Sequence, residues 1–305
     1  MDSDDEGDGW LMGIEADVFT KGSDFKSSYV AKRRGWLPDF HDQIDRGVNS
    51  YALRACGEEV TVGIAWRENG TGSDLWDSAL VVAGYLEHSK SHFPSDYWAG
   101  KRVVELGSGT GALGLLVSKL GVSEVFLTDL PECCPLLEKN ALANGCLAAG
   151  VITEADRGGG VTLETDEGGG HGRGGVERGG VVRVAPLYWG EAIPAVLEEG
   201  PPVDLIIGTD LLLPYAPELF APLCRSIADL LRIGNCPSGS ATATSSSGVE
   251  SQPVAVLAYE ERFDVSNFFL ECIGAGLEVN AVENSELHPT YQDPGKIFVL
   301  RITLQ

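Results

Sequence analysis

Val103-Val104-Glu105-Leu106-Gly107-Ser108-Gly109-Thr110-Gly111-Ala112 is the stretch whose reading decides the fold of this chain. An apolar pair leads into an acid, then into glycines at alternate positions, then into the apolar run Leu113 to Val117. The pattern reads as a buried parallel strand, a tight turn and the start of a helix. Glycine suits such a turn because it tolerates positive φ and lets backbone approach a ligand closely. The turn alone does not name that ligand. Gly107, Gly109 and Ala112 also satisfy the dinucleotide fingerprint, in which a pyrophosphate rests on the helix N-terminus.

Working outward, strand and helix patterns alternate. Residues 102–106 read as a strand, 111–120 as a helix, 124–128 as a strand and 132–144 as a helix. Further on, strands are expected at 181–185, 203–208 and 254–259, and helices at 216–232 and 264–274. Two last strands, near 277–283 and 296–303, lie close enough to form a hairpin. Upstream, residues 60–66 alternate like a strand, a turn is expected at 69–72, and residues 75–86 show helical spacing. Seven strands from residue 102 onward imply an α/β fold: a Rossmann-like, mostly parallel sheet with a C-terminal β-hairpin and helices on both faces. Ligands of such sheets bind beyond the carboxyl ends of the strands, at the switch point.

Composition divides the chain into an acidic N-terminal tail and cap, 1–59, and one domain, 60–305. Glycine-rich 156–180 and serine-rich 235–252 interrupt that domain and read as flexible insertions, since they bury too little to offset their ordering entropy. With 22 basic and 45 acidic residues, the net charge of −23 argues against nucleic acid as a partner. A small molecule, or a protein presenting basic residues, fits better. No apolar run approaches the ~20 residues of a membrane span, and the acidic start Met1-Asp2-Ser3-Asp4-Asp5-Glu6 is unlike a leader. A monomer in the cytoplasm or nucleus is expected. The seven cysteines show no CxxC pair and no metal-ligand spacing, so reduced, buried thiols and no metal are expected.

The chemistry-bearing residues fall at strand ends. Asp129 closes the second core strand, where an acid accepts hydrogen bonds from ribose hydroxyls, or alternatively caps the helix expected from Pro131. Glu105 would repel a pyrophosphate but favour an ammonium or sulfonium; the plainer reading is a structural acid satisfying turn amides. Trp76 and Trp189 flank the expected cleft and offer rings to stack on a flat base. Asp210 follows the fourth strand with Tyr215 close behind, placed to orient an amine or to cap a helix.

Taken together, Trp76-Asp77-Ser78-Ala79, Glu105-Leu106-Gly107-Ser108-Gly109-Thr110-Gly111, Asp129, Leu187-Tyr188-Trp189-Gly190 and Gly208-Thr209-Asp210 resemble methyltransferase family 16, the seven-β-strand protein-lysine methyltransferases. Tyr259-Glu260-Glu261-Arg262 is similar to that family's Tyr-Glu-x-Arg segment, and the resemblance spans about residues 60 to 303. It implies S-adenosyl-L-methionine as cofactor, with Trp76, Glu105, Gly107, Ser108, Gly109, Asp129, Trp189 and Thr209 at its site. It also implies a protein substrate presenting a lysine, with Asp210 holding the amine and Tyr215 or Glu260 shaping the pocket. One departure is evident: the family's Asp-x-x-Tyr or Asp-x-x-Phe is here Asp210 and Tyr215 with four residues between them, including Pro214. Other classes remain open from the residues alone: a small-molecule acceptor, a nicotinamide-dependent oxidoreductase, or a catalytically silent binding module.

Overall fold

A computed structural model describes residues 50–64, 74–146, 180–198, 200–235, 252–292 and 297–305. Residues 1–49 of the expected tail and cap, the 69–72 turn and nearly all of the two insertions lie outside the described residues. In chain order the elements are β1 (Ser50–Ala55), β2 (Glu58–Gly63), α1 (Asp77–His88), β3 (Arg102–Leu106), α2 (Ala112–Ser118), β4 (Glu124–Asp129) and α3 (Cys134–Ala143). They continue with β5 (Val181–Pro186), α4 (Ala195–Glu198), β6 (Leu205–Thr209), α5 (Phe220–Asn235), β7 (Val254–Glu260), α6 (Ser266–Gly274), β8 (Leu277–Ala281) and β9 (Ile297–Leu304).

Seven strands form one sheet in the order β5-β4-β3-β6-β7-β9-β8. The first five are parallel, while β9 runs antiparallel to both β7 and β8. This is the expected Rossmann-like sheet with its C-terminal hairpin. The strand order reverses between β3 and β6, which are paired neighbours. The crevice beyond their carboxyl ends is therefore the switch point at which such sheets bind ligands.

Period-two alternation builds the two faces. Val103, Val125, Leu127, Leu205, Ile207 and Val256 enter one core cluster with apolar residues of α1, α2 and α3. Val104, Leu106, Phe126, Ile206, Ala255 and Leu257 enter the other with α4, α5 and α6. Strands buried on both faces favour apolar runs: β6 supplies Leu205 to Gly208, and β3 supplies Val103, Val104 and Leu106 around the buried Glu105. At the amino end of β3, buried Arg102 donates to Glu124 and to the carbonyls of Val196, Leu197 and Pro201, fastening the approach to β6. The described cysteines are free thiols, four of them buried; Cys224 on α5 and Cys272 on α6 have their sulfurs 3.3 Å apart.

Two local expectations are revised. Of the strand expected at 60–66, whose residues 65–66 lie outside the described residues, the described part runs from Glu58 to Gly63 and pairs antiparallel with 50–55, so strand structure begins ahead of residue 60. Asp129 does not cap α3, whose N-cap is Cys133; a turn at 131–133 carries the chain past the expected helix start.

The β1–β2 hairpin is held on the domain by two asparagines of one helical turn region. Asn140, 2% exposed, accepts from the Gly63 amide at 2.8 Å and donates to the carbonyls of Gly63 at 3.0 Å and Thr110 at 2.9 Å. Asn144 accepts from the Thr61 amide and donates to the Thr61 carbonyl at the exposed rim. Asn140→Ala strands three backbone groups, and an unmet buried polar group costs about 1–3 kcal/mol. Thermal denaturation should show a melting point lower by several degrees, with Asn144→Ala milder; equal effects from the two would contradict this account.

Candidate functional site

The site grows from the end of β3. Gly107, Gly109 and Gly111 have φ of +56°, +55° and +75°, a left-handed conformation that side chains disfavour. Ser108 donates its amide to the Thr128 carbonyl at 3.0 Å, and Gly111 its amide to Ser108 at 2.7 Å, closing the turn. A Cβ on Gly107 would lie 2.6 Å from Leu211 Cδ2 and 3.4 Å from the Trp189 ring, so the indole rests against this turn. Glycine is also required just inside the helix: a Cβ on Gly114 would stand 2.4 Å from Leu127 and 2.6 Å from Glu105 Oε2.

Asp129 reaches the turn from the end of β4. Its Oδ2 accepts the Gly109 amide at 2.7 Å and its Oδ1 the Leu130 amide at 2.8 Å. Burial raises its pKa, and the two amides oppose that shift. The carboxylate thus sits beside the glycine turn at the carboxyl end of β4. Thr209 ends β6, partly buried, in register with Ala258.

Glu105 faces inward rather than into the crevice. Its Oε2 accepts the Gly114 amide at 3.2 Å, and its side chain belongs to a residue only 3% exposed. Burial pushes its carboxyl from 4.5 up to about 8, with the Gly114 and Ser108 hydrogen bonds pulling the other way. Near neutral pH the group is mainly protonated, which favours the structural-acid reading over a charge offered to a cation. The reason is the close seating of α2, which leaves this carboxyl no water.

A second group of residues gathers beyond β6 and β7. Asp210, in the left-handed region at φ +55°, accepts the Ser78 hydroxyl at 2.8 Å on Oδ2 and the Glu260 amide at 3.0 Å on Oδ1. Arg262 pairs with Asp210 at 3.3 Å and with Glu260 at 2.9 Å, and its guanidinium lies 5.2 Å from the centre of the Trp76 ring. Asp210 is therefore not a helix cap. Tyr215 lies in the following turn, 36% exposed, and Tyr188 is 47% exposed beside Trp189. Leu211 connects the two groups, touching the positions of both Gly107 and Gly208. Sequence reasoning assigned no role to Ser78, Arg262 or Leu211. The first two lie within quoted motifs, whereas an isolated leucine in an apolar run carries no signal.

Glu105 binds its proton more tightly in the folded chain than in the unfolded one. Its contribution to stability is complete below about pH 4.5 and is lost as pH rises toward 8. The neutral isostere Glu105→Gln keeps an acceptor for Gly114. Its melting point relative to the parent should rise steadily between pH 5 and pH 8; a difference independent of pH would show that Glu105 is ionised throughout.

Residues 58–155 match a family model described as lysine methyltransferase. EEF1A lysine methyltransferase 3 of Xenopus tropicalis is 43% identical over 90 residues, covering 29% of this chain and 38% of that protein. Protein N-lysine methyltransferase METTL21A of Danio rerio is 30% identical over 165 residues, 54% of this chain and 58% of that protein. The chain thus spans about two fifths to three fifths of the length of these relatives. A TehB-like SAM-dependent methyltransferase from Corynebacterium glutamicum superposes with a TM-score of 0.43 at 15% identity, over 79% of this chain and 94% of that one. Through residues 58–155, which hold β2, the glycine turn and Asp129, the chain resembles the lysine methyltransferase family.

Proposed function

We propose that this chain binds S-adenosyl-L-methionine at the carboxyl end of its sheet and transfers the methyl group to a lysine ε-amine of a protein substrate. The observation that carries the reading is the left-handed glycine turn bound to Asp129, inside the segment that matches the family model.

The residues present fit this cofactor. Asp129 supplies acceptor oxygens for a ribose diol at the end of β4, where nucleoside ligands of such sheets place their sugar. The turn exposes backbone rather than side chains, and the Trp189 ring beside it offers a face for a flat base. When bound, the cofactor supplies an electrophilic methyl group on a sulfonium. The chain's own residues would align the acceptor and exclude water, the two contributions that an in-line displacement chiefly needs. A lysine with a pKa near ~10.4 must lose its proton before it attacks, and desolvation in the cleft lowers that pKa.

The net charge of −23 supports a cationic acceptor, because a negative protein attracts basic segments and repels nucleic acid. The free thiols among the described cysteines suit a reducing compartment, the cytoplasm or nucleus.

Calorimetry should show that the protein binds S-adenosylhomocysteine and not NAD. Asp129→Ala should weaken that binding at least about tenfold, since it removes the ribose acceptor and loosens the Gly109 amide. Tritiated S-adenosylmethionine, incubated with elongation factor 1A and separately with cell lysate, should leave label that hydrolyses to methyllysine. Binding of NAD instead would overturn the cofactor; label confined to small molecules would overturn the acceptor.

A further inference from the structure

Arg262 stands where three chain segments meet at the site. One nitrogen, Nη2, lies 3.3 Å from Asp210 Oδ2 and 2.9 Å from Glu260 Oε2, while Nε donates to the same Glu260 oxygen at 3.0 Å. Its guanidinium faces the Trp76 ring, whose residue immediately precedes α1. The side chains of Asp210, Arg262 and Glu260 are only 6%, 14% and 15% exposed, so solvent screens this network weakly. Asp210 is the most committed member. Ser78 and Arg262 engage one of its oxygens, and the Glu260 amide engages the other.

We infer that Arg262 is a positioning residue of the proposed methyl-transfer site, and that Asp210 works through it instead of holding the acceptor amine itself. The inference rests on the cofactor reading given above. Two carboxylates converge on one guanidinium nitrogen. Without the cation they repel each other across a poorly hydrated gap. With it they form a unit of single net negative charge, locked to the end of β7 by the Glu260 amide and to α1 by Ser78. The planar face of the same guanidinium sets the Trp76 ring, so one side chain fixes both the acids and the indole that the cofactor reading places beside the ligand. An arginine suits this task where a lysine does not, because only the guanidinium combines a fork of donors with a flat stacking face.

The test uses the full chain, with S-adenosylhomocysteine as the probe and tryptophan emission as a second readout. Trp76 emission is isolated by subtracting a Trp76→Phe variant, since the chain has six tryptophans. Arg262→Met should lower S-adenosylhomocysteine affinity about tenfold or more and shift Trp76 emission in the ligand-free protein. Arg262→Lys should recover only part of both effects, and a few millimolar methylguanidinium should restore binding to Arg262→Met. Adding Asp210→Asn to Arg262→Met should cost less than a further twofold, as expected of partners in one network. Arg262→Met with affinity within twofold of the parent and unchanged Trp76 emission would overturn the inference. So would losses from Arg262→Met and Asp210→Asn that simply multiply. Should Arg262→Met fail to fold by circular dichroism, Arg262→Lys with and without Asp210→Asn decides on the same criteria. A parent protein that does not bind S-adenosylhomocysteine refutes the cofactor reading itself, whereas the ligand-free emission still judges the Arg262–Trp76 contact.

Discussion

Helix α2 lies closer to the sheet than a side chain would permit, and the arrangement of the crevice follows from that approach. A Cβ at Gly111 would come within 3.1 Å of Leu127, and one at Gly114 within 2.4 Å of the same residue. Without side chains at these points, the helix seats directly on β4 and its first turn opens over the junction of β3 and β4. That seating brings the Gly109 amide within 2.7 Å of Asp129. It also buries Glu105 under the helix, so that burial raises its pKa and a hydrogen bond from the Gly114 amide holds it in place. A single steric constraint thus sets the carboxylate that faces the crevice and the carboxyl that does not.

Much of this was readable from residues, and the parts that were not have a common cause. Strands such as Val103 to Leu106 and Leu205 to Thr209 announce themselves because a sheet covered on both faces favours mainly apolar strands. The glycine turn is legible because positive φ leaves few residue choices. β1 is hard to read although Tyr51, Leu53 and Ala55 alternate inward; six residues with exposed partners give a weak signal beside a long acidic segment. The direction of Glu105 was hidden for a different reason. Its neighbours in sequence allow it to face the ligand, and only the approach of Gly114, nine residues on, turns it into the protein.

The same holds for the acids beyond β6 and β7. Asp210, Glu260 and Arg262 occupy recognisable motifs, yet the bonds that tie Asp210 to the other two join residues 50 or more positions apart, which no local pattern encodes. The left-handed backbone of Asp210 is equally invisible in a run that reads Leu-Leu-Leu after it. Pairing also changes what a conspicuous acid means. Exposed carboxylates invite a role in ligand contact, whereas one saturated by a hydroxyl, an amide and a guanidinium acts on the shape of its surroundings.

The asparagines that fasten the N-terminal hairpin have one more consequence. β1 and β2 make a two-stranded sheet, and the outer edge of β2 presents backbone groups that could accept another strand. At Thr61 and Gly63 those groups are already taken, each by a side-chain amide that donates and accepts as a neighbouring strand would. Asn140 and Asn144, four residues apart on consecutive helical turns, thereby imitate one edge of a third strand. At these two residues the outer edge of β2 is closed to another strand by two amides borrowed from a helix.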